Sequence, residues 1–255
     1  LIVIDDGSTD NGCVKIEELQ KVYNFQFLSK ENEGVCATLN LGIKLARGTF
    51  FCAIASDDIY HVNKLSIQIP FMLENNLKCT SADSQTFRKL SDIKNDFQKT
   101  DEKYSIYNLK DVLYSRANIP AINLVWDTCL LKKLGGYNPE TKLEDYDIIL
   151  KYLTQYEKII VLANTLSYSR LHDTNTSSDR GLIYREKIKL LDNASFVRVE
   201  DINRAILLVR VQMYVSERKV SSLLASLLKV ISSGATVELI KLFKHIYCVK
   251  FLSKQ

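Results

Sequence analysis

An apolar run, Leu1-Ile2-Val3-Ile4, opens the sequence and ends in two acids, Asp5-Asp6. A strand buried on both faces reads this way, because no polar side needs to alternate with the apolar one. Residues 10–22 then carry Val14, Ile16, Leu19 and Val22 at helical spacing, and residues 25–28 make a second short apolar run. Residues 34–46 predict a helix with Leu39, Ile43 and Ala46 on one side, closed by Arg47-Gly48, glycine being the usual left-handed stop. A third apolar run, residues 49–55, again ends in acids, Ser56-Asp57-Asp58. Strand, helix, strand, helix, strand, with acids at the strand ends, predicts an α/β fold. Its sheet is mainly parallel and binds ligand at the carboxyl ends of the strands.

Further along, residues 61–75 predict a helix interrupted or kinked near Pro70, and residues 78–87 a strand. Residues 88–103 are polar and charged, which suits a loop. Residues 121–125 read as a strand and 128–134 as a short helix closed by Gly135-Gly136. A helix over 144–154 begins with the capping-box pattern Thr141-x-x-Glu144. Residues 159–162 and 165–171 read as two strands. From Leu182 onward the pattern is helical, and no repeat of solenoid period is present. The division expected is an α/β domain over 1–177 and a helical region over 178–255. Because the first ligand-bearing strand has no residue before it, the sequence reads as starting inside a domain.

Composition narrows the classes. Three prolines and nine glycines in 255 residues exclude collagen and a Pro/Gly-rich disordered chain. The longest stretch without a charge is eleven residues, 159–169, where a spanning helix needs about 20 apolar ones. No basic segment or cleavage site marks a signal peptide. Six cysteines, at 13, 36, 52, 79, 129 and 248, show no paired spacing, so reduced thiols in a cytosolic protein are expected and zinc is not. The net charge of +4 is uneven: residues 182–255 hold 13 Lys+Arg against 6 Asp+Glu. A near-neutral body with a basic tail argues against nucleic acid as a partner. It fits an enzyme whose tail meets an anionic surface, such as the cytoplasmic face of a membrane.

Four constellations could carry chemistry. Asp5-Asp6-Gly7-Ser8-Thr9-Asp10 either recognises a nucleotide or forms a polar turn that caps the next helix. Its adjacent acids exclude the aspartyl phosphatase loop, which needs them two apart. Asp57-Asp58 after a buried strand suits a hard divalent cation, against a solvated turn. Glu144-Asp145-Tyr146-Asp147 at a helix start either presents a general base or merely complements the helix dipole. His172, in Tyr168-Ser169-Arg170-Leu171-His172 with Asn175-Thr176-Ser177 behind it, is a metal or phosphate ligand or a surface histidine.

In this order the four resemble the family 2 glycosyltransferases, nucleotide-sugar enzymes of the GT-A fold. Asn32-Glu33-Gly34, Ala46-Arg47-Gly48 and Gly135-Gly136-Tyr137 fall between them as the family's pattern has them. The resemblance covers about residues 1–177. It implies that Asp6 contacts the nucleobase, Asp5 supports the turn, and Asp57 lies near the ribose and diphosphate. Asp58 would ligate Mn²⁺ or Mg²⁺, with His172 on metal or diphosphate. Asp145 would deprotonate the acceptor and Glu144 would orient it. The implied reaction is an inverting transfer from a nucleoside-diphosphate sugar, a UDP-sugar foremost, to a hydroxyl of a glycan or lipid-linked acceptor in surface polysaccharide assembly. The family's opening strand, with its Pro-x-Tyr/Phe-Asn segment, and the helix after it have no counterpart here, so a catalytically inactive remnant is the alternative, with a sugar-phosphate nucleotidyltransferase as a further rival. Leu239, Leu242, Phe243, Ile246, Tyr247 and Val249, interleaved with Lys241, Lys244 and Lys250, read either as a membrane-surface helix or as one packed on its own domain.

Overall fold

The computed structural model describes residues 1–93, 103–172, 179–216 and 220–232, together with 234 and 237. The residues behind His172 and the basic apolar tail lie outside this set.

The chain begins with β1 (Ile2–Asp6), α1 (Gly12–Gln20), β2 (Gln26–Lys30) and α2 (Val35–Leu45). β1 and β2 pair in parallel with Ile4 opposite Leu28, and form a two-stranded sheet. The second sheet holds β3 (Phe50–Phe51), β4 (Ile59–Tyr60), β5 (Cys79–Phe87), β6 (Tyr104–Tyr107), β7 (Val125–Asp127) and β8 (Ile159–Arg170). Its order is β3-β7-β5-β8-β4, with β6 also on β8. The two longest ladders in the molecule, β1–β2 and β5–β8, are parallel, and the short strands add antiparallel edges. This is the expected α/β class with a mainly parallel sheet.

Several local expectations are corrected. The third apolar run makes only two ladder residues, and they pair antiparallel with β7 rather than beside β1. After Phe51 the chain leaves the sheet, and the Tyr60 hydroxyl takes the Ala53 carbonyl at 2.5 Å in place of a ladder partner. Residues 121–123 form a 3₁₀ turn, not a strand. Pro120 precedes it, and the Asn123 side chain reaches back to the Ala82 and Asp83 carbonyls, so pairing starts only at Val125. The two strands expected over 159–171 are one, because irregularities opposite Ala82 and Asp83 absorb the extra residues of β8. Thr141 is not the cap of its helix: Leu143 holds that position, and Thr141 Oγ1 accepts from Leu143 N at 3.0 Å. α3 (Lys64–Glu74) runs through Pro70 unbroken.

The remaining helices are α4 (Leu109–Leu113), α5 (Thr128–Lys133), α6 (Glu144–Leu153), α7 (Arg180–Asp192), α8 (Val199–Ser216) and α9 (Val220–Ser232). α6 buries Ile148, Ile149 and Leu150 in one cluster with Leu113, Trp126 and Leu131. The same cluster takes in Leu190, Leu191, Ala205, Leu208 and Val209 of α7 and α8. A single core therefore passes from the strand-rich part into the C-terminal helices. Tyr114 Oη donates to the Asp201 carboxylate at 2.9 Å, and Lys187 Nζ to Ser115 Oγ at 2.8 Å, across the same boundary. Cys13, Cys36, Cys52, Cys79 and Cys129 are all free thiols. No helix among the described residues is long and apolar enough to cross a membrane.

Candidate active site

The carboxyl end of β1 is built around its two acids. The buried Asp5 carboxylate accepts from Gly7 N and Ser8 N, each at 3.2 Å, and from the Ser29 hydroxyl at 3.0 Å. The Ser8 hydrogen bond, more than those of Cys13 and Ser29, holds its pKa down to about 2 against the opposing effect of burial. Gly7 has φ +81, and a Cβ there would stand 2.8 Å from Asn32 N, so the turn accepts only glycine. The Asp6 carboxylate accepts from Lys30 Nζ at 2.5 Å, Glu33 N at 3.1 Å and Gly34 N at 3.0 Å. Lys30 above all holds its carboxyl below the usual range. Asp6 thus fastens the loop between β2 and α2 to the end of β1.

At the second sheet, Asp57 and Asp58 sit just before β4. Asp58 Oδ1 accepts from Arg170 N at 2.8 Å, and Arg170 Nε donates to the Asp57 carbonyl at 3.2 Å. His172 Nε2 lies 3.0 Å from Asp57 Oδ2, both side chains being well exposed at 42% and 38%. The arginine is steadied by the Phe87 ring, 5.0 Å from its guanidinium carbon. Asp57, Asp58 and His172 are therefore brought together from positions more than 110 residues apart. Arg170 carries no role in its local run; the pairing of β8 with β4 brings its backbone N–H to the Asp58 carboxylate and its side chain to the Asp57 carbonyl.

Glu144 and Asp145 occupy the first turn of α6, where the helix N-terminus favours negative charge. Burial nevertheless pushes the Asp145 carboxyl from 3.8 up to about 7, and the Glu144 charge adds to it. Glu144 is raised by burial as well. Opposite them, the first turn of α2 places Cys36, whose Sγ donates to the Asn138 carbonyl at 3.3 Å. Its thiol is pushed up to about 11 by burial first, then by the charges of Glu144, Asp145 and Asp147. The Tyr137 hydroxyl is held well above the usual range, by burial first and then by the Asp145 charge. Asp147 points elsewhere, into the core, with Lys151 Nζ 2.6 Å away.

The α2 helix sets these parts in place. Asn40 Nδ2 donates to the Tyr137 carbonyl and Asn40 Oδ1 accepts from Tyr137 N, both at 2.8 Å. No local pattern marks this role of Asn40, although an amide on a mostly apolar helix is a visible signal.

Among the described residues no group of three His, Cys, Asp or Glu side chains encloses a metal site by itself. The strand ends offer an open set instead: two carboxylates, Asp57 and Asp58, with the His172 imidazole at their side. Hard oxygen donors with solvent access fit Mg²⁺ or Mn²⁺, which keep waters and take substrate phosphates for the rest of their shell.

Residues 1–117, which carry both acidic strand ends, match the sequence profile described as Glycosyl transferase family 2. Residues 1–117 belong to that family. An uncharacterised glycosyltransferase of Rickettsia typhi is 31% identical over 186 residues, 70% of this chain and 56% of the relative. The chain thus spans about half the length of this relative. Among solved structures, Staphylococcus aureus TarS 1-349 in complex with UDP-GlcNAc superposes with a TM-score of 0.61 at 18% identity, covering 84% of this chain and 63% of TarS 1-349. The mannosyltransferase PcManGT from Pyrobaculum calidifontis, in complex with GDP-Man and Mn²⁺, superposes with a TM-score of 0.59 at 12% identity, over 92% of this chain and 65% of its own. These likenesses establish the GT-A fold.

Proposed function

We propose that the protein transfers a sugar from a nucleoside-diphosphate sugar to an acceptor hydroxyl, with inversion at the anomeric carbon. The observation that carries the reading is the division of the site into two unlike acidic centres. One is partly exposed, where the His172 ring meets the Asp57 carboxylate beside Asp58. The other is desolvated, at Asp145, with a pKa of about 7.

A base with that pKa is matched to neutral pH, since it is partly ionised yet still gains a proton readily. Asp145 takes the proton of the acceptor hydroxyl as its oxygen attacks the anomeric carbon, and Glu144 beside it orients the acceptor. The bond from that carbon to the diphosphate oxygen breaks, and the diphosphate leaves with the electron pair. Asp57 and Asp58, with His172, would hold a divalent cation and the diphosphate, and a cation bound there would supply positive charge against that of the leaving group. Asp5 keeps the Gly7-Ser8 turn and Asp6 keeps the Glu33-Gly34 loop in the shape that receives the base and ribose. TarS and PcManGT, bound to UDP-GlcNAc and to GDP-Man with Mn²⁺, support a nucleotide-sugar donor. A UDP-sugar is the donor proposed first, with a glycan or lipid-linked acceptor and a role in surface polysaccharide assembly.

Thermal unfolding of the purified chain with UDP, GDP or dTDP, each with Mn²⁺ or with EDTA, tests this. A ligand at 100 times its Kd stabilises the native state by about 2.7 kcal/mol. A rise in Tm with one nucleotide is expected, dependent on Mn²⁺ and lost in Asp58→Ala. A folded sample that responds to none of them overturns the reading in favour of an inactive remnant.

A further inference from the structure

Lys64, at the start of α3, is 1% exposed. No carboxylate among the described residues lies within ion-pair distance of it. An ammonium taken out of water costs several kcal/mol unless its surroundings replace the lost hydration. Its replacements are neutral: the Gln68 side-chain oxygen, the Asn123 carbonyl at 3.2 Å, and the face of the Tyr60 ring, whose centroid is 4.7 Å away. Gln68 Nε2 donates to the same Asn123 carbonyl at 2.9 Å and to Thr80 Oγ1 at 3.3 Å. Asn123 Nδ2 closes the other side on Ala82 O and Asp83 O, where the β5–β8 ladder is irregular. The cation is therefore the centre of a sealed polar network joining α3, the 121–123 turn and β5.

One spoke of that network reaches the acidic strand end. Tyr60 presents its ring to Lys64 and its hydroxyl to the Ala53 carbonyl, so the ring stands between the buried cation and the 53–58 loop. Tyr60 also ladders to Ser167, three residues before Arg170. We infer that Lys64 is a positioning residue: through the Tyr60 ring it fixes the loop that carries Asp57 and Asp58. It touches neither substrate nor cation. An apolar residue of equal length would fill the volume but leave the Gln68 oxygen without the Lys64 donor, the Asn123 carbonyl with only its Gln68 donor, and the ring without its cation. The kinetic part of this inference rests on the glycosyl-transfer reading; the structural part does not.

Hydrogen exchange of the full chain, read by mass spectrometry, tests it. In Lys64→Met, amides of residues 53–60 should exchange about tenfold faster, with residues 2–6 unchanged. Tyr60→Phe, which keeps the ring but frees the Ala53 carbonyl, should accelerate the same amides. If Lys64→Met does not fold, Tyr60→Leu carries the test, because it removes the spoke and leaves Lys64 and its oxygen partners in place. Where transfer is measurable, Lys64→Met should raise the donor KM about tenfold with kcat changed less, the loss of Tyr60→Phe being non-additive with it. Unchanged exchange over 53–60 in a folded variant overturns the inference, as does simple additivity. Faster exchange in a protein whose wild type transfers no sugar would sink the functional reading and leave the positioning role standing.

Discussion

Asn40 pairs with the backbone of Tyr137 as another strand would, one side-chain amide satisfying both the N–H and the C=O of a residue 97 positions away. Gly136 makes that approach possible. It has φ +69, and a Cβ there would overlap Asn40 Oδ1. The two residues fix the angle between α2, which borders the Asp5–Asp6 end, and the segment leading into the α6 carboxylates.

Gly136→Ala is expected to destabilise the fold by about 2–4 kcal/mol, from the left-handed backbone and from the displaced amide pair together. Gly135→Ala, at φ +85 with open space around it, should lose only about 1–2 kcal/mol. Urea unfolding of both variants gives the comparison, and equal losses would remove the Asn40 contact from the explanation.

Gly42 lies in the same helix with ordinary room. A Cβ there would meet Ile4 Cδ1 and the Phe51 ring at 3.7 Å. Since glycine inside a helix costs about 0.5–1 kcal/mol relative to alanine, Gly42→Ala should raise Tm by a few degrees. A drop in Tm would mean that β1 and β3 lie closer across α2 than these distances allow.

The pH dependence follows from Asp145. Its carboxyl titrates near 7 when folded against 3.8 otherwise, so transfer should rise with pH through about 7. Asp145→Asn should abolish that limb and lower kcat by roughly 10²–10⁴-fold. Glu144→Gln, by removing a neighbouring negative charge, should move the midpoint to lower pH. The same shift costs stability. The folded state binds the proton more tightly, so the stabilisation present below pH 4 is lost as pH rises through 7. Asp145→Asn should therefore be more stable than wild type at pH 8, by about 2–4 kcal/mol, and hardly different at pH 4. Chemical denaturation at the two pH values decides this independently of any substrate.

Tyr114→Phe deletes one oxygen and leaves Asp201, 7% exposed, without its 2.9 Å partner. Lys110, 3.7 Å away and itself half-exposed, compensates only in part. The expected loss is about 1–3 kcal/mol, the cost of a buried acceptor left short. If α7 and α8 formed an appendage that folds apart from the rest, calorimetry would show the variant shifting only one of two transitions. A single shifted transition is expected.

Much of this was legible in the sequence wherever the apolar pattern and the local chemistry agreed. Cys79–Phe87 reads as a strand and is buried over its first half, whereas Ile2–Asp6 reads as a strand buried on both faces but lies in a two-stranded sheet where only Asp5 is buried. Asp5-Asp6 falls at the end of its strand as expected, whereas Asp57-Asp58 lies in the loop before β4 rather than at the end of a strand over 49–55. The 49–55 run misled because apolar residues also line a loop when a side chain, here Tyr60, takes the place of a strand partner. Thr141 misled because its hydroxyl serves the residue before the helix rather than the helix itself. β6 and α4 lie beyond the charged 88–103 stretch and were missed, their spacing too short for periodicity to register. Arg170 and Asn40 act through partners more than 80 positions distant, which no local pattern records, and Lys64 reaches the Asn123 carbonyl 59 positions away. Lys64 and Gln68, four apart on one apolar helix face, were nonetheless an available clue to a buried polar pair.

The α1 helix has no buried residue, and the sheet beneath it has two strands. Such a unit gains little from burial and opens at a small fraction of the global unfolding free energy. The α1–β2 unit beside Asp5 and Asp6 is thus expected to open more readily than the core around α6. Whatever occupies the Asp5–Asp6 end has to draw on its own binding energy to suppress that opening, so measured affinity there understates the strength of the contacts made, and occupancy should be felt first as slowed proteolysis within residues 7–24.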